Sequence, residues 1–106
     1  MNNLDIKNIQ SLYDNNAVVL TQHFLDRIEK REIELSQIKI AIRHGEVIEL
    51  YPDDYPHPSV LILGRSNNIP LHIVVGIGGS SIWLITAYHP DNTKWETDFK
   101  TRKAAD

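Results

Sequence analysis

The stretch Ile69–Pro90, IPLHIVVGIGGSSIWLITAYHP, decides the fold of this chain. Two apolar, β-branched runs lie within it, Leu71–Ile77 and Ile82–His89, and they are separated by Gly78-Gly79. Two such runs on either side of a glycine pair predict a β-hairpin of long strands. The hairpin also carries side chains able to do chemistry, namely His72, Tyr88 and His89.

Two further strands are predicted before the hairpin. Residues 46–51 alternate between polar and apolar side chains, which is typical of a half-exposed strand. Residues 59–65 are nearly all apolar, which favours a central strand covered on both faces. Between them, the prolines of PDDYPHP indicate a loop. The segment 66–69 is a tight-turn sequence, because asparagine tolerates positive φ.

Helices are predicted before these strands. Residues 4–14 show helical spacing of apolar side chains, and residues 17–20 are a brief extended segment. Thr21 is the expected N-cap of a second helix with the sequence QHFLDRIEKRE. Ser36 is the expected N-cap of a third helix that ends at Gly45.

The predicted fold class is therefore α+β. N-terminal helices pack on one face of an antiparallel sheet of about four strands. After Pro90 the sequence predicts a turn and a short amphipathic helix, on which Trp95 and Phe99 dock. A length of 106 residues predicts a single domain, 1–106, with its core at about 17–95.

Composition excludes several kinds of site. The chain has no cysteine, which rules out disulfides, thiolate zinc sites and cysteine nucleophiles. A formal net charge of −3 argues against broad electrostatic capture of nucleic acid, although a local basic patch is compatible with it. No apolar run is long enough for a membrane span and no signal peptide is visible, so a cytoplasmic location is expected.

Strand alternation sorts the hairpin's side chains between the two faces of the sheet. One predicted face holds Leu61, Leu63, Arg65, His72, Val74, Trp83, Ile85, Ala87 and His89. The other is more uniformly apolar and is assigned to the helices; it holds Val60, Ile62, Leu71, Ile73, Val75, Ile77, Ile82, Leu84, Thr86 and Tyr88. A one-residue bulge near the end of the last strand would turn Tyr88 to either face.

His72 has two interpretations at this point. It is either a buried histidine satisfied by a backbone carbonyl, or a general acid or base in a groove. His23 and Arg27 share a helix face that is either simply solvated or functional. The five histidines are scattered without close metal-ligand spacing, so no metal and no cofactor is predicted.

Several short motifs occur in a consistent order along the chain. They are Thr21-x-His23-x-x-x-Arg27, then Arg31, Gly45-x-Val-Ile-Glu-x-Tyr51, Leu71-His72-Ile-Val-Val, and Ile85-Thr86-x-Tyr88-x-Pro90. Together, over about residues 18–95, they resemble domain-of-unknown-function family 4258. That family is similar to RelE- and MqsR-like toxins, which are compact α+β proteins of bacterial toxin–antitoxin pairs.

The resemblance implies a type II toxin that is a metal-independent mRNA endoribonuclease. In the implied reaction, a ribose 2′-hydroxyl of the RNA attacks the neighbouring phosphate. His72 or Tyr88 would transfer protons, and Arg27 and Arg65 would stabilise the negative charge of the phosphorane. The residues that match the pattern as catalytic are His23, Arg27, His72 and Tyr88. The expected substrate-binding residues are Arg31, His89, Lys94 and Arg65. Arg65 is included only because of its predicted position on the sheet and is not part of the motif resemblance.

The partners implied are a cognate antitoxin protein and RNA, including ribosome-associated mRNA, without a membrane and without DNA binding on its own. A non-catalytic protein-interaction module of the same fold is the alternative, in which His72 and Tyr88 are structural. A small-molecule or metal-binding domain is a third, weaker alternative. The toxin hypothesis expects His23, Arg27, Arg65 and His72 to converge on one open cleft.

Overall fold

The computed structural model describes residues 4–104 of the chain, so the outermost residues of the predicted domain 1–106 lie outside the description. The elements in chain order are α1 (Ile6–Asp14), β1 (Val18–Leu20), α2 (Gln22–Lys30), α3 (Leu35–Arg43), β2 (Glu46–Tyr51), β3 (Ser59–Ser66), β4 (Ile69–Gly78) and β5 (Ser81–Tyr88). The predicted α+β class is confirmed. Within the described residues, no helix is long and apolar enough to cross a membrane.

The sheet has five strands in the order β1-β5-β4-β3-β2. The prediction of four antiparallel strands is therefore wrong in one respect. Val18–Leu20, expected only as an extended segment, pairs in parallel with Ile82–Leu84. A strand of three residues has no periodicity of its own, and its partner lies far along the chain, so local pattern does not reveal this pairing.

Caps fix where the helices begin. The Asp5 carboxylate accepts from Asn8 N at 2.7 Å, and Thr21 Oγ1 accepts from Phe24 N at 3.1 Å, as predicted for Thr21. The third helix begins earlier than expected, because Glu34 and not Ser36 is its N-cap. The Gln37 side chain accepts from Glu34 N at 2.7 Å, which is half of a capping box.

The core lies between the helices and one face of the sheet. Its fully buried members include Phe24 of α2, Ile38 of α3, Ile73 of β4 and Leu84 of β5. Helix α3 runs close against β3 at Gly64, where an added Cβ would lie 2.6 Å from the Cα of Ala41. Packing this close leaves no room for a side chain at residue 64.

The hairpin β4–β5 contains a bulge. Val75 pairs with Leu84 and Val74 pairs with Thr86, so Ile85 is the extra residue. Beyond the bulge, alternation is reversed relative to the sequence prediction. Ala87 is buried on the helix face, and Tyr88 stands directly opposite His72.

The segment after β5 is not the short helix that the sequence predicts. Turns are stabilised by aspartate side chains: Asp91 accepts from Thr93 N at 2.8 Å and Asp98 accepts from Lys100 N at 2.9 Å. Phe99 has φ 59°, which no helix accommodates. Trp95 nonetheless docks as expected and is 3% exposed.

Residues 94–103 form what we call the C-terminal strap. Its two arms run antiparallel, with Glu96 N donating to Thr101 O at 2.8 Å and Lys103 N donating to Lys94 O at 2.9 Å. The strap crosses the sheet face opposite the helices, which we call the open face. That face is therefore only partly open.

We expect Gly64→Ala to lower the free energy of unfolding by about 1–3 kcal/mol or more, the usual cost of overpacking. The new Cβ would meet the backbone of Ala41, which cannot rotate away. Urea unfolding followed by tryptophan fluorescence measures the change. Gly76→Ala is the control, because its Cβ would lie 3.3 Å from the movable tip of Ile85. Equal losses in the two variants would contradict this account of the packing.

Candidate active site on the open sheet face

His72 lies at the centre of the open face and is completely buried. Its Nε2 is 2.7 Å from the carbonyl oxygen of Phe99 in the strap. Because a carbonyl only accepts, Nε2 carries the proton and Nδ1 is left as an acceptor. The structural interpretation of His72, a buried ring satisfied by a backbone carbonyl, therefore describes its resting state.

Tyr88 occupies the other side of the imidazole. The Tyr88 hydroxyl is 3.4 Å from His72 Nδ1, and the two rings meet edge to face with centroids 5.3 Å apart. Trp95 covers His72 from the strap, with ring centroids 4.6 Å apart at 89°. His72 is thus held between a phenol, an indole and a carbonyl, with one nitrogen directed at the phenol.

Burial sets the protonation of this pair. It lowers the pKa of His72, an effect that the hydrogen bond to Phe99 partly opposes. It also raises the pKa of Tyr88, although Arg102 acts in the opposite direction. At neutral pH the imidazole is therefore neutral and the phenol keeps its proton.

A second polar group adjoins the pair, at the edge of the strap. Arg102 donates to both carboxylate oxygens of Glu49, at 2.8 and 3.0 Å, and its guanidinium stacks 4.6 Å from the ring centroid of Trp95. The Tyr51 hydroxyl also donates to Glu49. Bidentate pairing of this kind fixes the orientation of both charges.

These contacts tune the two charged groups. The hydrogen bond from Arg102 is the main reason that the pKa of Glu49 is lowered, so the carboxylate is ionised at neutral pH. Burial, with the hydrogen bond to Glu49 next, raises the pKa of Tyr51 to about 12. The Glu49 side chain is 22% exposed and that of Arg102 is 58% exposed, so solvent reaches both.

We call these five residues the open-face cluster: Glu49, Tyr51, His72, Tyr88 and Arg102. Glu49 and Arg102 both act electrostatically on His72 and on Tyr88. The cluster thus combines an ionised carboxylate, a protonated phenol and a fixed cation. These are the types of group that general acid–base chemistry on an anionic substrate requires.

Sequence reasoning missed three members of the cluster: Glu49, Tyr51 and Arg102. Glu49 and Tyr51 are alternate residues of one strand, so their shared face was visible in the sequence. The position of Arg102 was not, because it depends on the turns of the strap.

Three of the sequence-predicted residues lie around the cluster. Arg65 stands 5.9 Å above the Phe99 ring. Arg31 donates to Thr86 Oγ1 and to the carbonyl of Ala87, each at 2.9 Å, and so anchors the chain after α2 to the end of β5. His89 Nδ1 is 3.1 Å from Pro70 O.

The other predicted residues stand apart from the cluster. His23 and Arg27 are exposed on α2, and Lys94 is exposed in the strap. The open cleft expected to hold His23, Arg27, Arg65 and His72 together is therefore not formed, since His72 is enclosed beneath the strap and α2 packs on the other face of the sheet. Across residues 4–104, no three His, Cys, Asp or Glu side chains are grouped to hold a metal ion.

Fold and cluster together define a small α+β protein with a candidate acid–base site on its sheet. Comparison with protein families shows the family to which the chain belongs. Residues 20–89 match the family described as domain of unknown function (DUF4258), and the chain belongs to that family. No curated protein and no solved structure matches the chain.

We expect the buried, neutral His72 to make stability depend on pH. Its pKa in the folded protein lies below the value of about 6.5 in the unfolded chain, so on acidification the unfolded state binds the proton first. Stability is therefore full at neutral pH and falls as the pH drops below about 6.5, by at most about 1.4 kcal/mol per pH unit.

The free energy of unfolding, measured by denaturant titration at several pH values between about 7.5 and 5.5, tests this expectation, because an ordinary histidine titrates within that range. His72→Gln retains an N–H donor but cannot titrate, so its stability should vary less with pH than that of the wild type. His23→Gln, at an exposed histidine, should keep the wild-type slope. If His72→Gln shows the full wild-type slope, burial of a neutral His72 is not its cause.

Proposed function

We propose that this protein is a ribonuclease of the RelE-like toxin type, which cleaves mRNA without a metal and is held in check by a partner antitoxin. The observation that carries the proposal is the open-face cluster, in which Tyr88 lies on the same sheet face as the Glu49–Arg102 pair and within electrostatic range of both charges. The motif resemblance supplies the reaction type. The cleft of His23, Arg27, Arg65 and His72 expected with it is not formed, so the proposal rests on the groups of the cluster instead.

The proposed reaction moves one proton at each end of the phosphate. The ribose 2′-oxygen attacks phosphorus while Glu49 takes the 2′-hydroxyl proton, and the bond from phosphorus to the 5′-oxygen breaks as Tyr88 gives that oxygen its proton. Arg102 stabilises the negative charge of the phosphorane. Exchange with solvent then returns Glu49 and Tyr88 to their starting states.

His72 acts through Tyr88 and is a positioning residue in this scheme. Its hydrogen bond to the phenol is long, at 3.4 Å, so the hydroxyl can exchange it for one to the leaving oxygen. The Phe99 carbonyl fixes the imidazole tautomer from the far side, as the third member of a catalytic triad does. His72 therefore needs no solvent exposure to contribute.

A specific observation favours a second candidate function, a non-catalytic protein-interaction module. His72 is fully enclosed, and the strap covers much of the face on which the reaction would occur. In that case the cluster's hydrogen bonds serve only to hold the strap. The two functions differ in whether loss of one hydroxyl or one guanidinium abolishes an activity.

We expect the purified protein to cleave single-stranded RNA in the presence of EDTA, and its induced expression to arrest growth. Tyr88→Phe removes only the phenolic hydroxyl and should slow cleavage by about 10²–10⁴-fold, the usual contribution of a general acid. Arg102→Gln should slow it by about 10²–10³-fold, as loss of a transition-state donor does. Initial rates on a fluorescently labelled oligoribonucleotide measure both effects.

Arg43→Gln is the matched control for Arg102→Gln. Arg43 is similarly exposed and is paired with Asp14 at 3.2 Å, away from the open face. It should cleave at the wild-type rate. Circular dichroism establishes that each variant is folded. Wild-type protein that neither cleaves RNA nor arrests growth would refute the ribonuclease proposal and favour the interaction module.

A further inference from the structure

A groove of about 630 Å³ lies beside the strap, at the end of the sheet away from the β4–β5 turn. The C-terminus of α3, the start of β2 and the end of β3 form its other walls. Leu63 and Gly64 contribute to its lining. The charged and titratable side chains that line it are His44, Glu46, Arg65, Asp98 and Lys100.

The two carboxylates of the groove already have partners. Glu46 forms an ion pair with Lys100 at 2.9 Å. Asp98 accepts from the backbone N–H groups of Lys100 and Thr101, each at 2.9 Å, and from the Thr101 hydroxyl at 2.8 Å. Both carboxylates are therefore already bound to donors of the strap.

Two basic side chains of the groove, by contrast, have hydrogen-bond donors that are not in use within the part of the chain that the structure describes. Within residues 4–104, the Arg65 guanidinium has no hydrogen bond and no ion pair, and it is held above the Phe99 ring at 5.9 Å. An arginine directs five N–H donors, and all five of these are available. His44 is also exposed, and its ring has no partner in the described chain.

The C-terminal end of α3 would ordinarily oppose an anion here, because the last carbonyls of a helix carry partial negative charge. In this protein, Gln10 Nε2 donates to the carbonyls of Ile42 and Arg43, at 3.0 and 2.9 Å. Gly45 N also donates to Ile42 O at 3.2 Å. These donors reduce the repulsion at the helix end.

We propose that this groove binds a phosphate group of an RNA chain, next to the position at which the chain is cleaved. The inference rests on the proposed function and adds a substrate subsite to it. Arg65 is the principal ligand, because a guanidinium pairs with two phosphate oxygens at once. Lys100 and His44 lie on other walls of the groove and add donors around the same anion.

The strap joins this groove to the open-face cluster. Phe99 packs beneath Arg65 with its ring and accepts from His72 with its carbonyl. Lys100 lines the groove, and Arg102, two residues later, belongs to the cluster. The groove and the cluster are therefore separated by only a few residues of the strap, so a phosphate bound to Arg65 would lie near the phosphate that reacts. One chain of RNA along the strap would contact both.

Binding of a strand that cannot react tests the subsite separately from catalysis. The probe is a fluorescein-labelled, fully 2′-O-methylated RNA octamer, which lacks the attacking hydroxyl. Fluorescence anisotropy at several salt concentrations compares wild type, Arg65→Gln and Lys39→Gln, the last an exposed lysine on α3 outside the groove. We expect Arg65→Gln to bind about tenfold more weakly, and its salt slope to fall by about 0.7, the value for one single-strand phosphate contact.

Lys39→Gln should bind as the wild type does, and Arg65→Lys should recover only part of the affinity, since lysine binds phosphate as a point charge. Competition with inorganic phosphate and with uridine monophosphate separates an RNA subsite from a site for small phosphates. If wild type binds these but not the octamer, or if Arg65→Gln binds the octamer as wild type does, the RNA subsite is refuted.

The same measurements distinguish the two proposals. Octamer binding that depends on Arg65, without cleavage of unmodified RNA, would refute the catalytic proposal and leave the subsite in place. Cleavage that is normal in Arg65→Gln, with unchanged octamer binding, would refute the subsite and leave the catalytic proposal in place. An octamer that wild type does not bind at all refutes the subsite.

Discussion

The extra residue in β5 is the constraint on which the site depends. Strict alternation would have placed Tyr88 among the buried side chains beneath the helices. The bulge at Ile85 shifts the pairing by one, so that Tyr88 stands opposite His72 and Ala87 turns inward to the core. A phenol and an imidazole come together on the open face because β5 has one residue more than β4 over the stretch in which the two strands pair.

The C-terminal strap supplies the remaining groups of the site. It brings a carbonyl, an indole and a guanidinium to a sheet face that holds His72, Tyr88 and Glu49. Its attachments are of unequal strength. Trp95 is buried, whereas the ion pairs of Lys100 with Glu46 and of Arg102 with Glu49 are exposed and so are sensitive to salt. Packing of Trp95 therefore holds the strap, and the ion pairs set its register.

Much of the fold follows from local pattern in the sequence. The four antiparallel strands and the helices were predicted close to their observed positions, because apolar periodicity and turn residues specify them directly. The parallel strand β1 was missed, since three residues give no period. The prediction of a C-terminal helix was wrong, because Asp91 and Asp98 hydrogen-bond to the backbone of their own turns and Phe99 adopts positive φ.

The candidate site was predicted only in part, for the same reason. His72 and Tyr88 share a strand pair, so their closeness depended on one bulge that the sequence left open. Arg102 reaches Glu49 only through the path of the strap, and no periodicity encodes that path. His23 and Arg27 belong to the short motifs on which the sequence resemblance rests, yet they lie on a helix away from the open face. Their motif spacing places them on one helix and says nothing about what that helix faces.

The chemistry of the cleaved ends tests the central claim most directly. Wild-type protein is incubated with a defined oligoribonucleotide in EDTA, and the fragments are weighed by mass spectrometry. Attack by the 2′-oxygen predicts fragments that end in a 2′,3′-cyclic phosphate and begin with a 5′-hydroxyl. Fragments with a 5′-phosphate and a 3′-hydroxyl, or an intact oligonucleotide, would contradict the assignment of the open-face cluster as a ribonuclease site.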